Sequence, residues 1–444
     1  MKAFKYFILT ILTSLYIFPI EFVFLPSINS KMMLAVLGVV TFLIRLATGQ
    51  QDGLSKDMVK VGTLAVVVSL CGLISVSWNN TNDFTYATYF VSFLVWSFAA
   101  YFVICMAKVL LGGVNVNSVC NILICLAIAQ CCLALVIDSV PSIKDAVNNV
   151  VVGFGSMYSA GEGLEKAGRL YGIGAALDVA GTRFSAIISF SAIMAYNCHQ
   201  KGEKGYEVIY IVAFFFILVI GSIISRTTGL GALFAILFLL IESRGNILSK
   251  NSLFIPIGII LLFAVLLLIR ISPVFEGYMR FAFEGVFNLI EKGEWNISSN
   301  ETLKTMYVFP EYVRTWLIGD GYFNEPSLVD PNYVGEISNY GMFYMGTDVG
   351  YLRFLFYFGS IGLIAFISYF LFSTSVLLKR FPENKWVIYA LLFMGLTIWF
   401  KVATDIYCLF ALFLCIRREY DFDTEEIYDA DVIEKVVETI QTKQ

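Results

Sequence analysis

Residues 208–243 read VIYIVAFFFILVIGSIISRTTGLGALFAILFLLIES. Two apolar runs are separated only by the polar residues Ser225, Arg226, Thr227 and Thr228. A helix needs about 20 apolar residues to cross the ~30 Å hydrocarbon layer, so the stretch reads as two membrane helices joined by a tight turn. The same ruler marks 7–25, 32–47, 58–77, 85–107, 119–138, 184–198, 208–225, 229–243, 253–270, 349–376, 386–400 and 403–416. These about twelve transmembrane helices predict an all-α polytopic membrane protein over residues 1–418, with both termini on one side. The first stretch follows Lys2 and Lys5 and has no small-residue cleavage site after it, so it reads as a retained span.

Composition agrees. The 444 residues are 58% hydrophobic and 14% charged, with mean hydropathy +0.78, far from the roughly 45–50% apolar and about 25% charged of soluble domains. Basic residues are scattered singly, which excludes a nucleic-acid-binding face. The nine cysteines lie in or beside apolar segments and read as small hydrophobes. With His199 the only histidine, a histidine base and a histidine metal site are both disfavoured.

Lysine and arginine favour the cytoplasmic side in short loops. Lys2, Lys5, Lys56, Lys60, Lys201, Lys204, Arg244, Lys250, Lys379, Arg380, Lys385, Arg417 and Arg418 mark that side. The opposite side then holds the turn near Asn80, the interval 139–183, the Arg226 turn and a long polar loop, 271–348. Trp78, Trp386 and Trp399 fall near span ends, where indoles favour the interface. The long loop has eleven acids against four bases, Arg280, Lys292, Lys304 and Arg314. Within it Phe275, Met279, Phe283, Val286, Phe287 and Ile290 recur at helical spacing, predicting an amphipathic helix, and Pro310 fits the first turn of a second short helix ending at Gly319. Residues 419–444 form an acidic cytoplasmic tail with a partly helical apolar register.

The outer arginines carry the functional signal. Arg226 stands in a turn on the side that disfavours cations, so it either reaches lipid phosphates or binds a specific anion. Arg169 opens the glycine-rich segment 168–184, GRLYGIGAALDVAGTRF, in which Arg183 follows; a guanidinium fork beside glycines suits phosphate oxygens, and pairing with Glu165 or Asp178 is the alternative. Arg280 has Glu276 and Glu284 four residues to either side, the spacing of a surface ion-pair ladder as well as of a ligand contact. Asp348 lies where the loop re-enters apolar sequence, in GTDVGYLRF, as a candidate base or as a partner for Arg353.

In this order the residues resemble the O-antigen polymerase and O-antigen ligase superfamily of bacterial inner-membrane glycosyltransferases. The pattern is Arg169 with Gly172 and Gly174, the Ser225–Arg226 turn, a Gly319-x-Gly321 element, Asp348 before Gly350, Tyr351 and Leu352, and then Phe358, Gly359, Gly362 and Leu363. The resemblance implies a GT-C-like fold with a large periplasmic loop containing short helices, acting without metal or other cofactor. It implies that Arg169, Arg226, Arg280 and Arg183 bind the diphosphate of an undecaprenyl-diphosphate-linked glycan, and that Asp348, Arg226 and Arg169 are catalytic. Gly319, Gly321 and Tyr351 would position the loop. Ligases usually carry histidine where Asp348 stands, so a polymerase of surface polysaccharide repeat units (O-antigen or capsule) is favoured. A ligase with another acceptor, such as lipid A core, and a transporter or flippase for an anionic or lipid-linked substrate are the alternatives. The implied partners are donor and acceptor lipid-linked glycans, membrane lipid, a chain-length regulator and a flippase.

Overall fold

The computed structural model describes residues 2–48, 56–152, 169–243, 253–330, 333–334 and 343–417. The chain is an all-α polytopic membrane protein, apart from a small antiparallel hairpin pairing Glu21–Phe22 with Leu25–Asn29. Among the described residues, eight helices are long and apolar enough to span a bilayer: Ser30–Ala47, Asp57–Asn79, Tyr89–Leu111, Val116–Ser139, Leu177–Lys201, Lys204–Ile224, Phe254–Ile271 and Gly350–Arg380.

The helix Leu177–Lys201 is the axis of the bundle: 89% of its apolar window is buried, against 22% for Ser30–Ala47 and none for Phe254–Ile271. Small residues make this possible, because helices in lipid associate through close packing and interhelical hydrogen bonds. A methyl group at Gly231 would lie 2.2 Å from the Ser185 carbonyl oxygen, and one at Gly181 would lie 2.3 Å from Ser225 Oγ. Ser185 Oγ donates to the Thr227 carbonyl at 2.7 Å, and Ser189 Oγ to that of Gly231 at 3.2 Å. The sequence SRTTGLG is thereby fixed against the central helix, and Arg226 leaves the turn from a rigid base.

A second anchor forms where Gly350–Arg380 is interrupted. Phe358 and Gly359 leave helical geometry, Gly359 with φ 68° and ψ −173°. The carbonyls freed by the break are taken by loop amides: Asp320 N–H donates to Phe356 O at 2.6 Å and Gly321 N–H to Tyr357 O at 3.1 Å. Gly319 and Gly321 both have positive φ, 78° and 75°. Asp83, 1% exposed, accepts the Phe323 and Asn324 amides at 2.9 and 2.8 Å, and Tyr357 Oη donates to the Asp83 carbonyl at 2.8 Å. Residues 317–324 are thus bound to the turn after Asp57–Asn79 and to the broken helix at once. A methyl at Gly359 would meet the Leu317 carbonyl oxygen at 2.2 Å, so Gly359→Ala is expected to destabilise the fold by about 1–3 kcal/mol from backbone strain alone. Thermal unfolding in detergent checks this, and an unchanged transition would argue against the tight approach.

Several expected boundaries shift. The first helix ends at Ile17, not near Leu25, because Pro19 disfavours helix in the residue before it. The expected loop helix over 275–290 is two helices, Pro273–Ala282 and Glu284–Lys292, broken at Phe283. The second short helix begins at Val313, with Pro310 ahead of it accepting the Trp316 indole N–H at 2.8 Å. The 403–416 span is helical only over Tyr407–Leu414. Ahead of it, residues 401–406 are irregular, held by the Trp399 indole on the Thr404 carbonyl at 3.0 Å and by Asp405 accepting from the Tyr407 amide. Trp399 is fully buried, 4.7 Å from the Phe354 ring and 5.0 Å from that of Phe366. The tail after Arg417 lies outside the described residues.

Candidate active site

The long loop, the Arg226 turn, the segment after Arg169 and the turn after Trp399 meet at one end of the bundle. Arg226 donates through Nε to the Phe281 carbonyl at 2.8 Å and through Nη1 to Ser299 Oγ at 3.2 Å, and it pairs with Glu284 at 2.9 Å. One of the two expected ladder partners of Arg280, Glu284, has therefore gone to Arg226. The break at Phe283 takes Glu284 off the Arg280 face, while Arg280 keeps the other expected partner, Glu276, at 2.9 Å and adds Glu291 at 2.7 Å. These two acids take up an Arg280 side chain that is 44% exposed.

Arg169 and Arg226 share the Phe281 ring, their guanidinium carbons 5.0 and 4.2 Å from its centroid. Arg169 Nε is buried without a hydrogen-bond partner. Burial lowers Arg226 from its ordinary pKa, Glu284 raises it, and Arg169 lowers it again. Two permanent cations on one ring repel unless an anion lies between them. Glu165, one expected partner of Arg169, lies outside the described residues. Asp178, the other, is within electrostatic reach but makes no ion pair with it.

Lys401 completes the cluster. It stands in the irregular segment and feels Asp178, Arg226, Arg169 and Asp348. Its position follows from Gly350, where a methyl would lie 2.6 Å from the Val402 carbonyl and 2.9 Å from the Trp399 backbone. That close approach brings Asp348, two residues ahead of Gly350, within electrostatic reach of Lys401. Tyr351 reinforces the contact through its hydroxyl on the Leu396 carbonyl at 2.9 Å. Burial pushes the Asp348 carboxyl up from its ordinary value, Arg353 draws it down, and Asp178 pushes it up again. No described cation lies within ion-pair distance of Asp348, so its expected pairing with Arg353 is an interaction across a gap.

Arg183 faces another set of groups. Its guanidinium is 5.7 Å from the Phe18 ring, its Nη1 donates to the Val179 carbonyl at 3.3 Å, and its charge is felt by Asp405. Arg169, Arg226 and Asp348 thus gather around Asp178 and Lys401, while Arg183 and Arg280 have other neighbours. Lys401 and Phe281 escape the sequence reading, and Asp178 enters it only as a pairing partner for Arg169. For Lys401 a signal existed, since a lysine between the spans 386–400 and 403–416 breaks the same charge bias that singles out Arg226. No such signal marks Phe281, whose partners Arg169 and Arg226 lie far from it in sequence. Among the described residues no group of three or more His, Cys, Asp or Glu side chains is placed to hold a metal ion.

Set against family models, curated proteins and solved structures, the chain matches none.

Proposed function

We propose that the chain is a metal-independent glycosyltransferase of the bacterial inner membrane that polymerises undecaprenyl-diphosphate-linked repeat units on the periplasmic face. The observation that carries this is the convergence of Arg169 and Arg226 on the Phe281 ring with Lys401 in reach of both. Three cations against the single contacting carboxylate of Glu284 suit a diphosphate. In this reading the eight long helices, the shorter apolar helices Phe4–Ile17, Gly229–Ser243 and Lys385–Thr397, and the segment 401–416, which joins irregular backbone to the short helix Tyr407–Leu414, make twelve spans. Both termini are then cytoplasmic, and the architecture is GT-C-like. Irregular backbone such as 401–406 is tolerated at membrane depth where it is buried in protein or lines a cavity.

The reaction breaks the bond between the donor glycan's anomeric carbon and the diphosphate oxygen. An acceptor sugar hydroxyl forms the new glycosidic bond and gives its proton to Asp348, whose raised pKa suits a base. The electron pair leaves with undecaprenyl diphosphate, whose growing charge the three cations offset.

A binding measurement tests the clamp. Farnesyl diphosphate, a short isoprenyl diphosphate, is expected to bind the purified protein and farnesol is not; equal binding of the two would remove the clamp. Burial lowers Lys401 from its ordinary pKa, Asp178 raises it, and Arg226 and Arg169 lower it again. A lysine with a lowered pKa is charged below that pKa and neutral above it. Farnesyl diphosphate binding is therefore expected to weaken on the alkaline side before the ordinary lysine value of about 10.4, and Lys401→Arg to remove that limb. A limb that persists in the Lys401→Arg protein would assign it elsewhere.

A further inference from the structure

Arg353 is the most confined cation of the site, and the reaction above does not use it. Its side chain is held between two loop rings, the guanidinium carbon 3.7 Å from the Phe323 centroid and 3.4 Å from that of Phe343. The residue is 6% exposed, its Nε has no hydrogen-bond partner, and no described carboxylate lies within ion-pair distance. Asp83, the nearby acid, is spent on the Phe323 and Asn324 amides. A buried donor left unpaired is costly. With rings against the guanidinium, the approach left to a ligand is in its plane. A planar oxyanion taking two parallel N–H bonds fits that approach best.

Electrostatic neighbours order the site. Lys401 feels Arg226, Arg169, Asp178 and Asp348, whereas Arg353 feels Asp348, Asp83 and Asp178. Asp178 and Asp348 are within electrostatic reach of both Lys401 and Arg353 and so join the two groups of cations. If the donor diphosphate lies at the Arg169–Arg226 end and bonds exchange at Asp348, the Arg353 end receives the acceptor.

We propose that Arg353 is a carboxylate-binding, specificity-determining residue of the acceptor subsite, so that the repeat unit carries an acidic sugar of the uronate type. This rests on the polymerase reading for its name as acceptor subsite, but the binding claim stands on Arg353, Phe323 and Phe343. The test uses purified full-length protein and three probes: a glucuronate-terminated trisaccharide, the matching glucose-terminated trisaccharide, and farnesyl diphosphate. The wild type is expected to prefer the acidic trisaccharide by about tenfold or more, as a charge-assisted pair gives. Arg353→Gln is expected to erase the preference while farnesyl diphosphate binding stays within about twofold. Arg353→Lys, the milder variant, keeps the charge but not the planar fork and is expected to lose most of the preference. Equal binding of the two trisaccharides by the wild type overturns the proposal, as does a preference unchanged in Arg353→Lys. Failure of the wild type to bind farnesyl diphosphate would instead strike the donor reading, leaving an Arg353-dependent uronate preference as evidence for this subsite alone.

Discussion

Alanine at Arg226 or at Arg169 is expected to remove long-chain polysaccharide while protein level and lipid-linked single repeats persist. Loss of one preorganised charge at the leaving group slows turnover by roughly 10²–10³-fold. The two variants differ in what else they disturb. Arg226 also ties the loop helices down through the Phe281 carbonyl, Ser299 and Glu284, so its removal leaves the Glu284 carboxylate without its cation, held only by the Ser298 amide and hydroxyl. Arg169 makes no described ion pair, and its Nε is unpartnered. Its loss therefore reports on the bound anion with little structural contribution. Equal, near-complete loss of polymer in both variants, read from the glycan chain-length distribution, supports the clamp; normal chain lengths in both would discard it.

Asp348→Asn is expected to lose roughly 10²–10⁴-fold in activity, as the carboxylate takes the acceptor proton. The pH profile separates this from a merely structural role. A base must be deprotonated to act, and burial raises the pKa of Asp348. Activity of the wild type should thus fall with acid at a pH above the ordinary aspartate value of about 3.9. Asp348→Asn should keep only a low, pH-insensitive remainder in that range. Near-normal polymer from Asp348→Asn would rule out proton abstraction there and turn attention to Asp178, which interacts electrostatically with Lys401, Arg169 and Arg353.

The long helices were legible because hydropathy and length are local properties, and lipid demands that backbone groups be satisfied within each span. Prediction and structure agree closely at 32–47 and 253–270, observed as Ser30–Ala47 and Phe254–Ile271. Legibility failed where partners distant in sequence decide the backbone. The break at Phe358 and Gly359 has no hydropathy signature, since its carbonyls are satisfied by the amides of Asp320 and Gly321. The irregular stretch before Tyr407 depends on Asp405 and Trp399 in the same way.

The site was half legible for the same reason. Arg169, Arg226 and Asp348 stand out as charges against their surroundings, and charge bias is readable in a sequence. The expected Arg280–Glu284 ladder was an i,i+4 argument that assumed an unbroken helix. The break at Phe283 gave Glu284 to Arg226 instead.

The most direct test of the polymerase reading is the glycan ladder of a strain deleted for this gene and complemented with the wild-type sequence. Single repeat units should still be transferred to the final acceptor, with no longer chains, and complementation should restore a full ladder. A ladder unchanged by the deletion would contradict it, and loss of all capping, single repeats included, would reassign the chain as the ligase.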